Sequence, residues 1–304
     1  MTLRDLEYFI AIARERSITR AASTLYVAQP ALSQCVQKLE REVGVDLLVR
    51  SSSGVLLTSE GQCFLEFAQT VLQERSSLNK KIQDVEDAEN GEVRIGFTGT
   101  QATYVLPYIL PDFQEKHPGV TITLVEGTSD EIEQKLTHRE VDIGILHSPI
   151  LREELDCFEA NTDDMVVIPR ETSNYAEFVY HRENDPRDYI NIDFFREEPI
   201  VMTQPWQRSR MVCDQLFANA GIVPKVLQVS RNLSTLDALA QVNYASVILP
   251  RKQISQALTA RGYFYLDPEI AIPYAFVVAT LKGEYIPIAV RYLRQDFMDK
   301  RYTF

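Results

Sequence analysis

Residues 17–42 read S-I-T-R-A-A-S-T-L-Y-V-A-Q-P-A-L-S-Q-C-V-Q-K-L-E-R-E. The pattern predicts a short helix over 19–25, begun at Ser17 or Thr19, whose hydroxyls suit the free amides of a helix start. Tyr26 to Ala28 make a turn, and Pro30 falls in the first turn of a second helix, where a missing amide costs nothing. Leu32, Val36 and Leu39 follow at spacings of four and three and define a buried face. The opposite face carries Gln29, Ser33, Gln34, Gln37, Lys38 and Arg41, with no carboxylate before Glu40. Amides pair two-to-two with adenine, hydroxyls serve base edges or phosphate, and cations neutralise phosphate. The expected base readers are Gln29, Pro30, Ser33 and Gln34, with Arg20, Gln37 and Lys38 on phosphate. Most polar helix faces are merely solvated. The capped helix in front, the proline and a basic element downstream set this one apart.

Outward from that core, Leu3, Leu6, Phe9, Ile10 and Ala13 recur at helical spacing and give a roofing helix over about 2–16. Gly44 ends the second helix of the motif, and 47–57 reads as a hairpin turning at Arg50-Ser51-Ser52-Ser53-Gly54, with Arg50 placed for the duplex backbone or minor groove. A long helix follows over about 59–87, capped by Thr58. Phe64, Ala68, Val71, Leu78, Ile82 and Val85 step along it as a seam, with Arg75 in the same row. So long an amphipathic helix implies pairing with a second copy; packing on its own domain is the alternative.

These residues resemble a known family. The runs L-x-x-L-x-Y-F at 3–9, S-I-T-R-A-A at 17–22, A-Q-P-A-L-S at 28–33, L-E-x-E-V-G-V-x-L-L at 39–48 and G-V-x-L-T at 54–58 are similar to the winged helix-turn-helix of LysR-type transcriptional regulators. The resemblance implies double-stranded operator DNA as partner, dimerisation through the long helix into a homodimer or homotetramer, and a small-molecule effector. It further implies a C-terminal domain shaped like a periplasmic binding protein, and output through DNA bending or contact with RNA polymerase. The chain departs from the family's usual pattern at Ala28, where a capping Ser is common, at Ser53, often basic, and at Gln34 and Cys35. Loss of a cap costs about 1 kcal/mol. The operator cannot be carried over from a relative.

At 304 residues the chain suits two or three domains. No apolar run approaches a membrane span, and the N-terminus lacks a signal-peptide pattern, so a cytoplasmic protein with no membrane partner is expected. Cys35, Cys63, Cys157 and Cys213 are scattered without metal-ligand spacing, which argues for free thiols and no metal. Net charge is −12, yet residues 1–60 hold seven Lys plus Arg against seven Asp plus Glu, so all the excess lies beyond them. An acidic bulk suppresses indiscriminate sticking while local cations still hold phosphate. There is no G-x-S-x-G, phosphate-binding loop or H-E-x-x-H, so no enzyme, catalytic residue or cofactor is expected.

Beyond Asn90-Gly91, strand and helix patterns alternate, which implies parallel strands in two α/β lobes. The expected organisation is a DNA-binding domain over 1–58, a dimerisation helix over 59–89, a first lobe from 90–162 with 268–304, and a second over 163–267. Ligands of such sheets sit beyond the strands' carboxyl ends. That places Thr100, Gln101, Ala102, Thr128, Ser129 and His147 of lobe one, with Thr203 and Gln204 of lobe two, around a small organic acid or amino-acid-like anion. The resemblance puts family effector sites at Thr100, Ala102, Thr128, Ser129 and Thr203. Any one of these hydroxyls taken alone reads first as an ordinary helix cap, and His147, a candidate pH switch or ligand contact, reads first as a structural histidine. Arg208 and Arg210 read as surface pairs, and Trp206 as either a stacking platform or a core lid. The competing function is a two-lobed solute-binding protein with no DNA-linked output.

Overall fold

The computed structural model describes residues 1–51, 54–86, 90–99 and 105–299. The chain forms two compact units, Met1–Gly91 and Glu92–Phe304.

The first unit begins with α1 (Leu3–Glu15), opened by a reciprocal cap in which the Thr2 hydroxyl accepts from the Asp5 amide while the Asp5 carboxylate takes the Thr2 amide. Helix α2 (Ile18–Thr24) is capped by Ser17, and α3 (Gln29–Val43) starts at Ala28 without a side-chain cap and ends at Gly44 in a left-handed conformation. Tyr26, in the turn between them, also has positive φ and is 95% exposed. Leu32, Val36 and Leu39 are buried as the spacing requires, beside Leu6, Phe9 and Ile12 of α1. Strands β1 (Leu48–Ser51) and β2 (Gly54–Leu57) form the antiparallel wing. Glu40 anchors it: one carboxylate oxygen accepts from the amides of Leu47 at 3.0 Å and Leu48 at 3.2 Å. Glu40→Leu should therefore strand both amides and cost about 1–3 kcal/mol in thermal denaturation, while Glu40→Gln, which keeps an acceptor, should cost much less.

The apolar row along helix α4 (Ser59–Glu86) is buried in its first part and exposed in its second. Phe64 and Ala68 are buried in the unit's own core, Phe64 edge-on to Phe9 at 4.9 Å, and Arg75 reaches back to Glu7 of α1 at 3.0 Å. The dimerisation assignment of Phe64 and Ala68 is thereby corrected, since surface already packed on α1 is closed to a second chain. Val71 is half-buried against the same core, Leu78 and Ile82 are exposed, and the Val85 side chain lies outside the described residues.

In the second unit, lobe one is built on β3 (Gly91–Phe97), β4 (Val120–Glu126), β5 (Ile143–His147), β6 (Leu155–Asp163) and β14 (Tyr274–Leu281), in the order β4-β3-β5-β14-β6. Helices α5 (Leu106–Lys116) and α10 (Ile288–Asp299) share one apolar core with this sheet, and α6 (Ser129–Thr137) another. Lobe two holds β7 (Met165–Ile168), β8 (Val179–His181), β9 (Asp188–Ile190), β12 (Val247–Pro250) and β13 (Phe264–Tyr265) in the order β12-β7-β13-β9-β8. The parallel pair β10 (Ile200–Thr203) and β11 (Val226–Ser230) completes it, with helices α7 (Arg208–Asn219), α8 (Leu233–Gln241) and α9 (Gln256–Arg261).

The expectation of parallel sheets is corrected. Strands β3 and β5 are parallel, but β14 runs antiparallel to both β5 and β6, and β7 is antiparallel to β12 and β13. The reason is connectivity: β6 carries the chain out of lobe one and β14 brings it back beside it, so the two must oppose.

Candidate DNA interface and effector cleft

On α3 the outer face presents Gln29, Pro30, Gln34 and Gln37 to solvent, with Ser33 half-buried. The Gln29 amide donates to the Ser33 hydroxyl at 2.9 Å, which aligns the two for a base edge. Lys38 is placed differently from the sequence reading: its ammonium meets the Asp5 carboxylate at 2.6 Å. Asp5 is partly buried, which works against ionisation, yet the bonds from Lys38 and Thr2 hold it down at about 2. Lys38 thus ties the start of α1 to α3. Arg20 is the more available cation, 65% exposed, with its guanidinium on the Glu15 carbonyl. The Arg50 side chain lies outside the described residues, as do Ser52 and Ser53 at the wing tip.

Between the lobes of the second unit lies a cleft of about 1220 Å³. The N-termini of α6 and α7 open onto it through Thr128, Ser129, Gln207 and Ser209. Helix starts present unpaired amides and positive potential, which favours anions. The Thr128 hydroxyl is engaged as a cap, accepting from the Glu131 amide at 3.3 Å while the Glu131 carboxylate accepts from the Thr128 amide at 2.8 Å. Thr203 is a correction: it is buried and bonded to the Ser209 hydroxyl at 2.9 Å, so Ser209 lines the cleft and Thr203 stands behind it. Gln204 likewise stays off the cleft wall, its backbone amide donating to the Gln207 side chain at 3.0 Å. Thr100, Gln101 and Ala102 lie outside the described residues.

His147 lines the cleft but is buried, stacked on Tyr274 with ring centroids 4.3 Å apart. Burial pushes its pKa down to about 3 from 6.5, so it is neutral in the fold. The unfolded chain takes up that proton first as pH falls. Its contribution to stability is therefore complete above about 6.5 and is lost between there and about 3. His147→Gln should flatten this acid limb in denaturant melts across pH.

Arg208 is a second correction. Far from a surface pair, it is 3% exposed and bonded to the equally buried Glu133 of α6 at 2.6 Å. Arg210 does pair at the surface, with Asp214 at 2.7 Å. Trp206 is half-exposed on the cleft rim with the Arg231 guanidinium 6.0 Å from its ring, which sets aside the core-lid reading. Arg231 and Lys252 also line the cleft; Arg231 directly follows β11 and Lys252 lies two residues past β12, so both stand where the strand-end rule points.

No described helix is long and apolar enough to cross a membrane, and among the described residues no cluster of three potential metal ligands forms. The four cysteines are free thiols; burial pushes Cys35 and Cys213 up to about 12.

Comparison with known proteins agrees with this division. Residues 3–62 match the bacterial regulatory helix-turn-helix protein family of LysR type, and residues 86–300 match the LysR substrate binding domain. The regulator AlsR of Bacillus subtilis is 29% identical over 96% of this chain and 94% of its own. The Hca operon transcriptional activator HcaR of Escherichia coli is 28% identical over 82% of each. Among solved structures, full-length CbnR complexed with its target DNA superposes with a TM-score of 0.62 at 23% identity, covering 97% of this chain and all of that one. A variant of full-length OxyR from Pseudomonas aeruginosa superposes at 0.68 with 21% identity, covering 98% and 94%. The chain belongs to the LysR family of DNA-binding transcriptional regulators, with an effector-binding domain behind its helix-turn-helix. The alternative of a solute-binding protein without DNA output is set aside by the N-terminal match.

Proposed function

We propose that α3 reads operator bases through Gln29, Pro30, Ser33 and Gln34, with Arg20, Gln37 and Arg50 on phosphate or in the minor groove. The observation that carries this is the outer face of α3: amide and hydroxyl groups, free of carboxylates, with Gln29 and Ser33 already aligned. Selection from randomised duplexes tests it. Gln29→Ala should lose about 1–3 kcal/mol of discrimination at one base position, whereas Arg20→Ala should weaken all duplexes alike and lower the salt slope by about one. Equal behaviour of the two variants would sink the assignment. Lys38→Ala should leave the salt slope unchanged, because its charge is committed to Asp5.

The protein works as a homodimer or homotetramer joined through α4, acts on DNA in the cytoplasm, and has no catalytic role. Its division runs as 1–58, 59–89, 90–162 with 268–304, and 163–267. The effector is a small organic acid or amino-acid-like anion. Support comes from the two helix starts and from Arg231 and Lys252 around one cleft. Native mass spectrometry of the purified protein should show a small retained mass that is lost in the Ser129→Ala, Lys252→Ala double variant.

A further inference from the structure

The ion pair between Arg208 and Glu133 joins the lobes at the cleft wall. Glu133 belongs to α6 of lobe one and Arg208 to the first turn of α7 in lobe two, and their side chains are 0% and 1% exposed. The two partners are unequally satisfied. Glu133 accepts from Arg208 at 2.6 Å with one oxygen, and with the other from the amides of Leu151 at 3.0 Å and Arg152 at 3.1 Å. Its carboxylate is thus held by lobe one even without Arg208. The guanidinium has that one carboxylate oxygen and, at 3.4 Å, the weakly accepting Met211 sulfur, while its buried Nε has no partner. A buried guanidinium so thinly paired binds strongly to whatever anion faces it, and it cannot stay buried once that anion is gone.

We propose that Arg208 and Glu133 form the latch that sets the separation of the two lobes, and that an anionic effector acts by drawing Arg208 from Glu133. This rests on the reading of the cleft as the effector site, and it assigns that site its moving part. A charge pair suits such a role better than an apolar contact: its strength depends on the negative charge opposite Arg208, which is what an anion entering the cleft alters. The lobes then have two arrangements, one with Arg208 on Glu133 and one with Arg208 on the ligand.

The chain has one tryptophan, Trp206, two residues before Arg208 on the cleft rim, so its fluorescence reports the cleft alone. Glu133→Gln keeps an acceptor for the Leu151 and Arg152 amides but removes the charge facing Arg208. In the full-length protein, without ligand, acrylamide quenching of Trp206 should rise by up to roughly two-fold, and hydrogen exchange should quicken at the starts of α6 and α7. The Glu133→Gln, Arg208→Met double variant keeps the acceptor for those two amides and replaces the buried cation by an apolar group of similar length; it should fold, and its quenching should return to the wild-type value or below. Unchanged quenching and exchange in Glu133→Gln would overturn the latch, as would a double variant as open as the single one. These readouts need no ligand, so their failure is separate from failure of the effector reading, which native mass spectrometry decides.

Discussion

Gly61→Val should cost the DNA-binding unit about 3 kcal/mol or more and abolish DNA binding with it. Gly61 stands in the first turn of α4, where glycine is about 1 kcal/mol worse than alanine and so needs a reason. The reason is the wing. A Cβ on Gly61 would lie 1.9 Å from the carbonyl oxygen of Leu47, a backbone atom that cannot swing aside. That carbonyl is already bonded to the Thr58 amide at 3.0 Å, the Thr58 hydroxyl donates to the Asp46 carbonyl at 2.8 Å and accepts from the Gly61 amide at 2.8 Å, and Glu40 holds the Leu47 amide. Any side chain at 61 must therefore displace either the start of α4 or the root of the wing. For a unit of this size the loss corresponds to a fall of roughly 10–20 °C in melting temperature. Differential scanning calorimetry should show it in the N-terminal unit's transition while the effector unit's stays in place, and gel shift should show no complex. A variant with both an unaltered melt and unaltered DNA affinity would mean that the junction yields where the structure shows it packed.

The helix starts and stops of the DNA-binding unit are legible in the sequence to within a residue or two, because they are set by local chemistry. Ser17, Pro30, Gly44 and Thr58 punctuate helices by means that depend only on their neighbours in the chain. Where a residue's fate depends on a distant partner, local sequence does not show it. Strand β6 carries little strand signal in the sequence because, past the buried Leu155, its residues are only half-buried or exposed, as on a sheet edge. The row along α4 reads wholly as a partner seam because its spacing cannot tell how far along the helix α1 covers it. Arg208 looked like a surface charge beside Asp214; only Glu133, 75 residues away in the chain, shows that it is buried. At the cleft, the ends of β4, β11 and β12 bring Thr128, Ser129, Arg231 and Lys252 to one wall or another, whereas Thr203 and Gln204 after β10 stay behind it, because only the folded lobe shows which strand ends face the opening.

The uncovered part of α4 carries the second large effect. Phe67, Leu78 and Ile82 are 45%, 55% and 47% exposed, large apolar side chains of α4 that lie outside the core around Phe9 and Phe64. From Val71, Leu78 lies seven residues on and Ile82 four more, the spacing of a coiled-coil stripe, so the proposed partner is the same helix of a second copy. Burying such side chains is worth about 1.5–3 kcal/mol each, counted on both chains. Leu78→Asp with Ile82→Asp should therefore convert the protein to monomers in analytical ultracentrifugation. The effect on DNA should exceed that on assembly. A dimer engages two half-sites, and the second contact is made at the high effective concentration set by the first, so its loss should weaken operator binding about 10²–10⁴-fold. The folded unit should be spared, because neither residue belongs to the core around Phe9 and Phe64. The pairing assignment fails if the double variant sediments like the wild type. It fails equally if monomers bind operator as tightly as before, since the recognition helices would then act singly and α4 would have no part in reading two half-sites.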